Sequence, residues 1–137
     1  MQIIASLFVE NFEMRSVAGP STRLDITGAM FSMPSPEPVP TTITPHLVAL
    51  IHCPPDGLGQ GVFEVAFYDH IRDSLDGAPE PVARNVSPFS VEPGKFTYRL
   101  VRAELPFDDY TTLYAHCRVD RGPVMVVPIT LLPPANG

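Results

Sequence analysis

Two segments of this chain gather carboxylates: Asp69, Asp73 and Asp76 in one, Glu104, Asp108 and Asp109 in the other. Calcium takes several carboxylate and carbonyl oxygens from neighbouring loops, which is how lipid-binding C2 sandwiches use their aspartates. If successive strands run alternately up and down, both segments leave the same end of the domain, together with the proline-rich stretch 33–45. The result would be an acidic pole that takes calcium or a cationic small molecule, with Asp69, Asp73, Asp108 and Asp109 as contacts. The spacing matches no calcium-loop motif, so the plainer expectation is a solvated, solubilising surface.

His52-Cys53 and His116-Cys117 supply two imidazoles and two thiols, the donor set of a tetrahedral zinc site. Adjacent residues of a strand point to opposite faces, so each dipeptide is expected to send its cysteine into the core and its histidine to the surface, with no metal bound. An immunoglobulin-type bridge between Cys53 and Cys117 would lack its usual tryptophan partner, since the chain has none, and Tyr114 lies three rather than two residues before Cys117. Buried free thiols are the expectation.

His70 beside Asp69 has the form of a catalytic base and its orienting carboxylate, but adjacency of this kind is common by chance. No G-x-S-x-G elbow is present, and the glycines at 57, 59 and 61 lead into a strand rather than the helix start that cradles phosphate. The chain is therefore expected not to be an enzyme and to carry no cofactor.

The elements that would position these groups are strands. Phe63, Val65 and Phe67 alternate with Glu64 and Ala66, and the same period of two recurs in 23–27 and 113–119, which predicts half-buried strands. Seventeen prolines mark boundaries, because each fixes φ and removes a ladder donor. Eight strands are predicted, near 3–9, 23–31, 46–53, 61–69, 81–91, 95–103, 111–119 and 123–132, with a short extra one near 12–17. Turns are predicted at 18–21, 54–57, 76–77, 93–94 and 120–123. Gly28 should mark a bulge, Pro128 should place the last strand on a sheet edge, and 69–75 is the best candidate for a single short helix. The prolines of 33–45 alternate as P-x-P and predict a stiff crossover rather than a ligand for a proline-recognising domain.

The 137 residues suit one domain, 1–137. An apolar share of 45% with 18% charged residues belongs to a folded chain, and no apolar run is long enough to span a membrane. The net charge of −6 and a single lysine, Lys95, leave no basic stripe, which argues against nucleic acid and anionic membranes as partners. The first nine residues lack a positively charged start and are cut off by Glu10 and Glu13, so they read as a first strand of a cytoplasmic protein.

The order of segments 4–9, Leu24-Asp25-Ile26-Thr27-Gly28-Ala29, a proline-containing crossover, 47–51, and Tyr110 to Asp120 followed by Gly122 and 124–132 resembles uncharacterised bacterial β-sandwich domains. This resemblance implies a fold and no activity. Taken together, the residues predict an all-β, two-sheet antiparallel β-sandwich, immunoglobulin-like or C2-like, with about eight strands. Its expected work is contact or assembly with an unknown protein partner, or self-association through an edge strand, because an edge can recruit a strand.

Overall fold

The structure is a computed structural model that describes residues 1–17 and 21–135. Among the described residues every regular element is a strand and none is a helix. In chain order the strands are β1 Gln2–Val9, β2 Asn11–Val17, β3 Ser21–Thr27, β4 Ser32–Pro34, β5 Thr41–Ile43 and β6 His46–His52, then β7 Gln60–Tyr68, β8 Ala83–Ser90, β9 Phe96–Arg102, β10 Leu105–Phe107, β11 Thr112–Val119 and β12 Met125–Leu132. They form a sheet of order β1-β6-β9, a sheet of order β4-β12-β11-β7-β8, and the pairs β2-β3 and β5-β10.

Alternation decides which side chains meet. Phe8, Leu47, Ala49, Ile51 and Val101 turn inward from the three-stranded sheet. Phe63, Val65, Phe67, Phe89, Ala115, Cys117, Val127 and Ile129 meet them from the five-stranded one. Ile43, Leu105 and Phe107 of the small β5-β10 pair join the same core. At roughly 25 cal/mol per Å² of apolar area, this shared burial is the main term that holds the sheets together.

Along one side the two larger sheets are stitched through a single segment. Met30 N donates to Phe8 O of β1, and Thr130 N of β12 donates to Phe31 O, just before β4 runs parallel to β12. On the opposite side β8 and β9 end their sheets unjoined, and the gap is bridged by the Arg99 guanidinium, 5.8 Å from the Phe89 ring centroid. Such a contact contributes on the order of 1 kcal/mol.

Several local expectations change. The predicted strand 23–31 stops at Thr27, because Gly28 is not a bulge within it; its φ of +67° ends β3 and turns the chain toward β4. The optional strand near 12–17 is β2, a full hairpin partner of β3. Not every pairing is antiparallel, since β4 and β12 run parallel. The last strand is not at an edge: β12 lies between β4 and β11, and Pro128 is tolerated because β4 pairs only from Thr130 onward. Residues 69–75 form an irregular loop rather than a helix. The turn predicted at 18–21 falls on 18–20, outside the described residues.

Candidate functional site

Strand β7 was expected to be half-buried, yet its second face is buried as well: Glu64, Ala66 and Tyr68 are covered just as Phe63, Val65 and Phe67 are. The cover is the loop 69–82, which folds back over the outer face of the five-stranded sheet. Tyr68 Oη donates to Pro79 O at 2.7 Å, and Val82 N donates to Phe67 O, fixing the far end of the loop. Beneath its near end lies His116, with 0% exposure.

His116 is held by two backbone groups. Its Nε2 accepts from Arg72 N at 2.9 Å, and its Nδ1 stands 2.9 Å from Tyr114 O. A carbonyl requires a donor and an amide N–H requires an acceptor, so the ring is locked neutral with its proton on Nδ1. Tyr68 meets it edge-on at 5.3 Å between centroids. Burial pushes its pKa below the ordinary histidine value, and the nearby His70 and Arg72 push it the same way. The histidine that sequence placed at the surface is therefore an interior anchor.

Beside it, Glu64 is 8% exposed and sits between two arginines. Arg118 Nε donates to Oε1 at 2.7 Å and Arg84 Nε to Oε2 at 2.7 Å, while Arg118 also reaches Asp76 at 3.4 Å. Burial raises the Glu64 pKa, and the two arginines more than reverse this, leaving the carboxyl below its ordinary value. A shallow cleft of about 240 Å³ opens here, lined by Glu64, Tyr68, Glu80, Arg84 and Arg118 among others. Both carboxylate oxygens and the arginines that face them are already mutually engaged. The short hydrogen bonds of this cluster tie β7 to β8 and β11, and the Arg118–Asp76 contact alone reaches the loop.

The four aspartates singled out by sequence are exposed, and two of them have local contacts. Asp69 accepts from or pairs with His70 Nδ1 at 2.7 Å, and Asp109 Oδ1 accepts from its neighbour Tyr110 N at 2.7 Å. Asp73 and Asp108 are exposed loop residues. Among the described residues, no three His, Cys, Asp or Glu side chains come together in a way that could hold a metal ion. His70 has Asp69 on one nitrogen and Arg72 on the other at 3.1 Å, with no serine among its hydrogen-bond partners.

Cys53 and Cys117 are free and buried, both with 0% exposure. Burial pushes the Cys117 thiol up to about 12, although the Ser6 hydroxyl next to it acts in the opposite direction. We expect neither cysteine to react with a maleimide at pH 7.5 in the native protein, while both react promptly in 6 M guanidinium. Stoichiometric labelling of the folded chain would contradict this packing.

Groups that remain available lie at the free edge of β9. Cys53 N donates to Lys95 O and Ala103 N to Pro45 O, so the odd-numbered residues of β9 turn their backbone groups toward β6. Phe96, Tyr98, Leu100 and Arg102 turn theirs outward, where no backbone group among the described residues meets them; only Tyr98 O has a long 3.4 Å contact, from Arg99 Nε. Their side chains share the outer face of the sheet, where Phe96 is 51% and Leu100 42% exposed.

Above that face lies the β2-β3 hairpin. Register places Phe12, Met14, Leu24 and Ile26 on one side of it and Glu13, Arg15 and Asp25 on the other, with Arg15 and Asp25 paired at 2.6 Å. The apolar side reaches the sheet through Phe12, edge-on to Tyr98 at 5.1 Å. It leaves a groove of about 520 Å³ lined by Met14, Leu24, Phe96 and Tyr98 among others.

Searches of known protein families, of characterised proteins and of solved structures found no match to this chain. No helix among the described residues is long and apolar enough to cross a membrane.

Proposed function

We propose that this chain is a β-sandwich, its two larger sheets forming the layers, and that it works by contact with a protein partner rather than by catalysis. The observation that carries this reading is the contrast between its two polar regions. Under the loop 69–82, Glu64, Arg84, Arg118 and His116 have their partners within the chain. Along β9, outward N–H and C=O groups run beside exposed Phe96 and Leu100. An edge of this kind gains hydrogen bonds by adding a strand, and the apolar side chains above it provide the affinity. We place the protein in the cytoplasm, a compartment in which free Cys53 and Cys117 stay reduced.

Between the edges of β8 and β9, β9 is the competent one. In β8 the outward-facing residues include Pro88, whose nitrogen has no proton to donate. Photo-crosslinking in the native cell tests the reading: benzoylphenylalanine at Phe96 should give discrete protein adducts, while the same group at Ile71, which is 63% exposed in the loop over the other sheet, should not. Equal labelling at the two positions would defeat it.

A further inference from the structure

We infer that the partner of the β9 edge is a second copy of this chain, joined antiparallel through β9 with Tyr98 opposite Tyr98 on a two-fold axis. The inference rests on the contact reading above and names its occupant. An antiparallel pair exchanges two hydrogen bonds wherever outward-facing residues stand opposite each other. Centring the ladder on Tyr98 sets Phe96 against Leu100 of the second copy and Leu100 against its Phe96, and all three residues have outward groups. Tyr98 O gives up its long contact with Arg99 for an amide in line with it.

Side chains fit the same register. Each exposed Leu100 comes to lie against the other copy's Phe96, at the mouth of the groove that Phe96 lines together with Met14, Leu24 and Tyr98. The groove is open because Met14, 52% exposed, has nothing of its own chain to cover it fully. By symmetry the insertion happens twice, which is the self-complementarity an isologous interface requires.

Charge separates this register from its neighbour. Lys95 pairs with Glu92 at 2.7 Å at one end of β9, and Arg102 with Glu104 at 3.5 Å at the other. In the Tyr98-centred register Glu92 of one copy falls opposite Glu104 of the other, and each already has its own cation, Lys95 or Arg102. Centring on Arg99 instead would oppose two guanidiniums across the ladder and is disfavoured by like charge.

Light scattering on the eluting full chain should give twice the monomer mass at high concentration and a shift toward monomer on dilution. Leu100→Lys should raise the dimer dissociation constant roughly tenfold or more, since both symmetric Phe96–Leu100 contacts are lost and a charge is set on the edge. Tyr98→Cys should form a disulfide-linked dimer under mild oxidation, because directly opposed residues of a hydrogen-bonded pair lie about 5.5 Å apart at Cα. Circular dichroism on both variants checks that they fold. A wild-type chain that stays monomeric at every concentration overturns the second copy as partner, and adducts of Phe96 with a different protein would then leave the contact reading standing. A dimer that Tyr98→Cys fails to link overturns the register.

Discussion

His116→Ala should destabilise the protein by about 3 kcal/mol and abolish most of its sensitivity to mild acid. The ring fills a site with no exposure, so its removal leaves a cavity, and Arg72 N loses its acceptor. In the wild type the neutral ring is required at both nitrogens, and burial with the nearby His70 and Arg72 lowers its pKa in the fold. The unfolded chain therefore takes up a proton first. Above the ordinary histidine value of 6.5 both states are neutral and the stability is complete. As pH falls below 6.5 the unfolded state alone is protonated, and stability declines by up to about 1.4 kcal/mol per unit until the buried ring titrates too. Other groups face this ring from the surrounding elements: Tyr68 and the Ala66 backbone on β7, the Tyr114 carbonyl on β11, and His70 with Arg72 in the loop. Urea unfolding at pH 7.5, 6.5 and 5.5 measures the slope, and hydrogen exchange at the Arg72 amide reports the anchor itself. An alanine variant with the same pH slope as the wild type would show that another group is responsible.

Glu64→Ala is expected to cost about 2–4 kcal/mol, lowering Tm by roughly 10 °C. Arg118, with a side chain only 14% exposed, would keep just the exposed Asp76 at 3.4 Å, and Arg84 would swing free into solvent. The penalty comes from an uncompensated buried charge, not from the worth of the pair. Glu64→Met combined with Arg118→Met should for that reason recover most of the loss, and a double-mutant cycle in urea separates the two terms. The pH dependence has its own window: the folded carboxyl lies below the ordinary value of 4.5, so its contribution is complete above 4.5 and disappears as pH falls through the folded value. Glu64→Gln should flatten that acid limb. If the double variant is as unstable as Glu64→Ala alone, the ion pairs contribute more than their desolvation costs.

Much of the backbone pattern is legible one strand at a time. Alternation in 61–69 and 111–119 and the proline punctuation place β7 and β11 to within a residue or two, because side-chain period follows directly from strand geometry. Cys53 and Cys117 are assigned to the core for the same reason, and the structure has them there. The short elements β4, β5 and β10 escape the eye because three residues carry no period; their existence depends on the partner they pair with. Gly28 and Pro128 are misread in a related way. A positive φ ends a strand as readily as it bulges one, and a proline within a sheet is permitted wherever its own side of the ladder has not yet acquired a neighbour.

Sequence by itself determined that the described chain is made of strands, that Phe63, Val65 and Phe67 go inside, and that no local motif specifies a reaction. Only the tertiary structure decided that the opposite face of β7 is covered too, that His116 is an interior anchor, and that Glu64 draws in Arg84 and Arg118 from strands 20 and 54 residues away. The same holds for the edge of β9. Its residues alternate like those of any other strand, and whether their outward backbone groups have a neighbour is settled by sheet order. That order is a long-range property: it depends on which apolar faces pack best against one another, and no window of sequence contains both sides of such a contact.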